Sequence, residues 1–274
     1  MQETAGQDFF AFFRHPAHSR PLPQQDCAIR PAQCGIDPAG DYGDLVGCEP
    51  RPRLQDKDRP LAQTLKLATF NAENFYMLLD REYSQEEFLS LAESDYLAMN
   101  SSIFNPNKSL DKIAAIASTI LERDFDFVGL CEVGGMETLR NFNRYFLGDR
   151  YECFLHEENS NRGIFTGALV KRGAFGGVSA RNIRGDFSRN LLEVRLSGGG
   201  ADLLVYVVHL KSQYGQDRGI ERRMLEIGQL CSIVRRYRCV VLGDFNGILV
   251  RGEQEFEFEP FLELPFRDVL EAMD

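Results

Sequence analysis

Cys239-Val240-Val241-Leu242-Gly243-Asp244-Phe245-Asn246 is an apolar run that ends on a carboxylate and, two residues later, on an amide. A continuous apolar run of this length reads as a strand buried on both faces. Polar side chains on alternate residues at its end project from one rim of the sheet, and the rims of rigid scaffolds are where sites are built. The construction recurs along the chain. Leu65-Lys66-Leu67-Ala68-Thr69-Phe70 leads into Asn71 and Glu73. Asp126-Phe127-Val128-Gly129-Leu130-Cys131 leads into Glu132, and Leu203-Leu204-Val205-Tyr206-Val207-Val208 leads into His209, Lys211 and Ser212.

The polar groups so delivered are the carboxylates of Glu73, Glu132 and Asp244, the amides of Asn71 and Asn246, and the imidazole of His209. This set is weighted toward hard oxygen ligands. It suits magnesium or manganese, which take one or two carboxylates plus waters and substrate phosphate oxygens, whereas zinc recruits more His and Cys. The chemistry it implies is metal-assisted attack of water on phosphorus.

Helical periodicity fills the gaps between the strands. Leu110 to Arg123 places Ile113, Ile116, Ala117, Ile120 and Leu121 on one face, and Asp217 to Tyr237 does the same with Ile220, Met224, Ile227, Cys231 and Val234. Ser84 with Glu87 forms a capping-box pattern that predicts a helix over 84–100. Strands alternating with helices predict a layered α/β arrangement. Residues 1–60, with breakers such as Arg20-Pro21-Leu22-Pro23 and Glu49-Pro50-Arg51-Pro52-Arg53, read as an irregular extension, and 61–274 as one domain. Within the extension, Phe9-Phe10-Ala11-Phe12-Phe13 reads as a small anchor helix or a partner contact.

A formal net charge of -10 argues against a long basic track for a phosphate backbone, although Arg181, Arg184, Arg189, Lys211, Arg218, Arg222, Arg223, Arg235, Arg236 and Arg238 cluster locally. A small phosphoester or a short nucleic acid is as compatible as duplex DNA. Seven cysteines, an odd number, with Cys131, Cys153, Cys231 and Cys239 in or near apolar elements, point to reduced thiols and a cytoplasmic protein. Zinc held by Cys27, Cys34 and Cys48 is the minor alternative. No apolar stretch is long enough to span a bilayer, and no secretion signal is evident.

The blocks Ala68-Thr69-Phe70-Asn71-Ala72-Glu73-Asn74-Phe75, Asp126-Phe127-Val128-Gly129-Leu130-Cys131-Glu132-Val133, Val208-His209-Leu210-Lys211-Ser212 and Gly243-Asp244-Phe245-Asn246, in this order, resemble those of the endonuclease/exonuclease/phosphatase superfamily of deoxyribonuclease-like and exonuclease III-like proteins. Arg162-Gly163-Ile164 before Ala168-Leu169-Val170, and Arg189-Asn190-Leu191-Leu192-Glu193-Val194, agree with it. The resemblance covers about residues 65 to 274. It implies a four-layer α/β/β/α sandwich of two packed mixed sheets and a phosphoester hydrolase dependent on Mg2+ or Mn2+, acting on a phosphodiester in a nucleic acid (DNA or RNA) or a small molecule. Glu132 would be the principal metal ligand, with Asn71 and Glu73 completing the contacts or orienting waters. Asp244 would orient or deprotonate the attacking water, Asn246 would contact the phosphate, and His209 would stabilise charge developing on a phosphoryl oxygen. Arg189 and Lys211 would bind phosphate.

The superfamily's closing Ser-Asp-His block has no counterpart in this sequence, and His209 matches a different block. The expectation is therefore a sheet incomplete at its C-terminal strands, with an edge covered by a partner or by self-association. The alternative function is that of a silent or truncated relative, binding phosphate or metal or acting as an interaction module.

Overall fold

The computed structural model describes residues 10–13, 64–198, 202–215, 217–234, 239–249 and 254–268. In chain order they form β1 (Phe10–Phe13), β2 (Leu67–Phe75), α1 (Gln85–Leu89), α2 (Glu93–Ala98), α3 (Leu110–Arg123), β3 (Phe127–Val133), α4 (Met136–Leu147), β4 (Tyr151–Leu155), β5 (Phe165–Lys171) and β6 (Gly177–Ile183). There follow β7 (Leu191–Ser197), β8 (Leu203–His209), α5 (Ile220–Val234), β9 (Cys239–Asp244), a 3-10 turn (Phe256–Phe258), α6 (Glu259–Leu262) and β10 (Arg267–Asp268).

Two mixed sheets result. One has six strands in the order β10-β1-β9-β8-β7-β6, and the other four in the order β2-β3-β5-β4. Each holds one parallel pair, β8 with β9 and β2 with β3, and antiparallel neighbours elsewhere.

Alternation along the strands sorts side chains into three layers of core. Val205, Val207, Val240 and Leu242 from the larger sheet meet Phe127, Ala168 and Val170 from the smaller one, which packs the sheets face to face. Tyr206, Val208 and Val241 point the other way, against Ile227, Leu230 and Val234 of α5 and against Phe258 and Phe261. Val128 and Leu130 meet Ile113, Ala117 and Ile120 of α3 and Leu139 and Phe142 of α4. The architecture is thus the expected α/β/β/α sandwich. Gly129 sits where the sheets come nearest: a Cβ there would lie 2.4 Å from Leu242 Cδ1.

Several local expectations change. The capping box is formed, with Ser84 Oγ accepting from Glu87 N at 3.1 Å and Glu87 Oε2 accepting from Ser84 N at 2.7 Å. The helix it starts is not continuous to residue 100. It stops at Ser90, whose hydroxyl donates to Glu87 O at 2.8 Å, and α2 begins afresh after Ala92 in an extended conformation. Local bonding by Ser competes with helix propagation.

On α5, Met224 is 47% exposed, and the inward face carries Arg223 and Glu226 instead. Arg223, one of the locally clustered basic residues, is buried because Glu257 Oε1 accepts from its Nη2 at 2.5 Å and its Nε at 3.0 Å, with both side chains at 1% exposure or less.

Of the two readings of the aromatic run, a small anchor helix or a partner contact, the helix does not form. Phe10–Phe13 is a strand, paired antiparallel with β9 on one side and β10 on the other. Aromatic residues favour strands, and β9 would otherwise present open backbone groups at that edge. The remaining residues of 1–60, with the candidate cysteine set Cys27, Cys34 and Cys48, lie outside the described residues, as do Arg235, Arg236 and Arg238. Cys131 and Cys153 are free thiols. Burial pushes the Cys131 thiol well up and that of Cys153 to about 12, so both are unreactive at neutral pH. Among the described residues no helix is long and apolar enough to cross a membrane.

Breaking a buried ion pair from one side strands the other charge. Glu257→Ala should therefore lower the unfolding free energy in urea by about 3–5 kcal/mol; a loss below about 1 kcal/mol would mean that Arg223 finds water or another partner.

Candidate active site

The two parallel strand pairs end at the same rim. Register sets His209 at the end of β8 beside Asp244 at the end of β9, and Asn71 on β2 beside Cys131 on β3. Beyond these points the ladders break. The β2–β3 register shifts between Asn71 and Phe75, and the β3–β5 register between Leu130 and Val133. Bulges of this kind re-aim side chains next to sites. Here they coincide with left-handed backbone at non-glycine residues: Glu73 (φ 50°), Asn74 (φ 48°), Glu132 (φ 62°) and, past β9, Asn246 (φ 54°). Such a conformation costs of order 1 kcal/mol per residue and is retained where surrounding bonds over-determine it.

Those bonds are present. Asn71 Nδ2 donates across from the small sheet to Asp244 Oδ2 at 2.8 Å, and Asn71 Oδ1 accepts from Glu73 N at 2.9 Å. Asp244 Oδ1 accepts from Asn246 N at 2.9 Å, so both carboxylate oxygens are fixed. Glu132 Oε2 accepts from Asn74 N at 2.8 Å. Its other oxygen, Oε1, faces His209 Nε2 at 3.8 Å, and Asp244 Oδ2 lies 3.9 Å from the same nitrogen. Both distances exceed hydrogen-bond range, so Nε2 faces a gap between two carboxylates. His209 Nδ1 is buried without a partner. Burial holds His209 below the ordinary imidazole range, with Asp244 and Glu132 opposing that shift, and the ring is neutral at pH 7.

Asn71, Glu132, His209 and Asp244 are thus brought together, with Asn246 joined through its backbone. The Asn246 amide itself is turned away, donating to Leu210 O at 3.0 Å. Glu73 has an exposed side chain at the rim. Lys211 is turned into its own loop, its ammonium donating to Tyr214 O at 3.1 Å. Arg189 is half-buried, with Nη1 donating to Ser188 O at 2.7 Å and a buried Nε that has no partner.

A divalent ion is what this rim's chemistry would take. Among the described residues no three His, Cys, Asp or Glu side chains form a ready-made ligand cage. One carboxylate, Glu132, keeps an oxygen outside hydrogen-bond range of any donor, whereas the Asn71 carbonyl is committed to Glu73 N. That donor set fits a hard ion such as magnesium that retains most of its waters, and does not fit zinc.

Four further residues shape the site without having been singled out as candidates. Asn74 binds Glu132, Arg162 Nη2 donates to Asn74 Oδ1 at 3.1 Å, Tyr76 packs beside them, and the buried carboxylate of Glu226 accepts from Ser188 N at 2.6 Å and Lys211 N at 2.7 Å. The last bonds tie the Arg189 and Lys211 loops to one point on α5. Asn74 and Arg162 stand inside motif blocks and carried a signal there; Glu226 is marked by nothing local.

No protein-family model matches the chain, and no curated protein matches it. Solved structures do. Zebrafish (D. rerio) TDP2 complexed with a single-stranded DNA product is 18% identical over 73% of this chain and 66% of that one, with a TM-score of 0.45. A mannosyl-6-phosphatase of Bacteroides thetaiotaomicron VPI-5482 is 13% identical over 73% and 70%, TM-score 0.45. An endonuclease/exonuclease/phosphatase family protein of the same species is 12% identical over 73% and 68%, TM-score 0.44. The chain spans 66% of a humanized zebrafish TDP2 and less than half, 42%, of TDP2 from C. elegans.

Removing the bond between the sheets should be measurable as stability. Asn71→Ala deletes a hydrogen bond to a charged acceptor, and a loss of about 1.5–3 kcal/mol in urea unfolding is expected; a change under about 0.5 kcal/mol would show that water replaces it at no cost.

Proposed function

We propose that this chain is a divalent-metal-dependent phosphoester hydrolase of the endonuclease/exonuclease/phosphatase type, in which water attacks phosphorus at the rim formed by β2, β3, β8 and β9. The observation that carries the reading is the neutral, buried imidazole of His209. Its Nε2 faces a gap between the carboxylates of Glu132 and Asp244, and its Nδ1 has no partner. A phosphoryl oxygen in that gap would accept from the Nε2–H, which no protein acceptor reaches at hydrogen-bond distance.

Roles follow from the bonds. Asp244, fixed by Asn71 and the Asn246 N–H, is oriented to accept a proton from the attacking water. His209 donates from Nε2 to the phosphoryl oxygen on which negative charge grows. Glu132, oriented by the Asn74 N–H, would hold the ion, with Asn71 and Glu73 beside it. Magnesium or manganese, when bound, polarises a phosphoryl oxygen and screens charge on the leaving oxygen. Arg189 and Lys211 supply positive charge at the mouth, where the substrate's phosphate enters. Residues 61–274, completed by the strand Phe10–Phe13, form the working domain in this reading, and a DNA, RNA or small phosphoester substrate is compatible with it.

The test is hydrolysis of bis(p-nitrophenyl) phosphate and of p-nitrophenyl phosphate with magnesium or manganese, and with chelator. Turnover that requires the ion is expected. Asp244→Asn should lower kcat by about 10²–10⁴-fold with the fold intact, and Glu132→Ala should remove the metal requirement together with the activity. Full turnover in chelator, or full activity in either variant, would overturn the assignment.

A further inference from the structure

The large apolar side chains most exposed among the described residues are Phe104 (91%), Ile103 (89%) and Tyr214 (87%). They stand on two connections that the topology makes equivalent. β2 and β3 are a parallel pair, so the segment between them must carry the chain back, and α3 does this. Residues 101–106 precede α3 and therefore lie at the end where β2 finishes. β8 and β9 are the parallel pair of the other sheet, and α5 makes the return there, with Tyr214 between the end of β8 and the start of α5. Each sheet thus sends out one apolar tip at the end that carries Asn71, His209 and Asp244.

The first tip has a built base. The buried Asn107 side chain accepts from Leu78 N at 2.9 Å and donates to Leu78 O at 2.8 Å and Tyr96 O at 3.3 Å, and Lys108 N donates to Tyr76 O at 2.9 Å. Above it the loop satisfies its own polar groups. Asn100 Oδ1 accepts from Ser102 N at 3.1 Å, Ser102 Oγ from Asn105 N at 3.0 Å, and Asn105 O from Asn100 Nδ2 at 2.8 Å, while Pro106 has no N–H to satisfy. In the second loop the Tyr214 carbonyl accepts from the Lys211 ammonium. Backbone groups bonded from within lose little on leaving water. Negative charge is kept away as well. No acidic residue stands between Asp95 and Asp111, or between Asp202 and Asp217, in a chain that carries 41 of them.

We propose that Ile103, Phe104 and Tyr214 form a docking surface for a lipid bilayer, on which they seat the cleft end of the sandwich reversibly. Two neighbouring residues that are both about 90% exposed project from a tip, and only a partner that closes around the tip can bury them. A fluid bilayer does this. A stable protein interface needs about 800 Å² from each partner, far more than three side chains offer, and the first tip is otherwise Ser, Asn and Pro. Tyr214 suits the headgroup level, where an aromatic ring with a polar end is at home. Burying a large apolar side chain is worth roughly tenfold to a hundredfold in partitioning, so three of them give the marginal, reversible binding of a single acyl chain. A formal net charge of -10 makes a zwitterionic bilayer a better partner than an anionic one. This surface does not rest on the hydrolase reading.

The experiment is flotation of the full chain with phosphatidylcholine vesicles, in EDTA so that turnover plays no part. Half-binding is expected at a lipid concentration on the order of 0.1–1 mM, with no loss when salt is raised from about 0.1 to about 0.5 M. Phe104→Ser should weaken binding at least about tenfold, and Ile103→Ser and Tyr214→Ser at least about threefold each. All three side chains are exposed, so the urea midpoint should stay in place. Leu65→Ser, just before β2 at its opposite end, should leave binding unchanged. The chain contains no tryptophan, so Phe104→Trp supplies a single reporter, whose emission should shift to the blue with vesicles and be quenched by lipid brominated on its acyl chains. Absence of vesicle binding overturns the proposal. So does binding that requires anionic lipid and disappears in salt, or binding unaltered in all three serine variants. A concentration-dependent dimer that Phe104→Ser abolishes, with no vesicle binding, overturns the bilayer in favour of a second copy of the chain.

Discussion

The bond from Asn71 to Asp244 joins the two sheets at their common rim, and much of the site's geometry depends on it. Each sheet alone ends in a parallel pair whose last residues are polar. Apart, these ends are two unrelated edges. Face-to-face packing through Phe127, Val207 and Leu242 brings them into one cleft, and the amide then fixes how far apart they sit. The close approach at Gly129 serves the same end, because a larger side chain there would push Leu242 away and widen the rim.

The distortion of the backbone at this rim is organised. Left-handed residues lie within β2 and β3 and follow β9, and each is held by a short bond from a neighbouring amide or carboxylate. A hydrophobic core supports such strain because it is close-packed and does not relax locally. The sandwich interior, with Val205, Val207, Val240 and Leu242 interleaved with the opposite sheet, supplies that stiffness directly beneath the site. The cost falls on residues that carry chemistry, which is where strain is commonly stored.

How much of this was readable depended on the range of the interaction. The strands ending in Asn71, Glu132, His209 and Asp244 were legible because an apolar run with a polar terminus is a local pattern, and helix α3 was legible because its buried face repeats at helical spacing. The break between α1 and α2 was missed because Ser90 ends the helix through a side-chain bond that the capping pattern upstream outweighs. The burial of Arg223 and Glu226 has no local signature because it is decided by distant partners: Glu257 in one case, and two backbone amides from separate loops in the other.

The pairing of Phe10–Phe13 between β9 and β10 has a consequence for how the chain is made. During synthesis this aromatic segment leaves the ribosome long before either of its neighbours. It must remain without its partners while the rest of the sandwich is translated. Closing so long a loop carries an entropic cost and places this pairing late in folding. A segment of four residues with three phenylalanines, waiting in extended form, is the kind that chaperones bind and that pairs wrongly with other chains. The cell's handling of the nascent protein is thus tied to the last strands of the sheet, well away from the chemistry of the cleft.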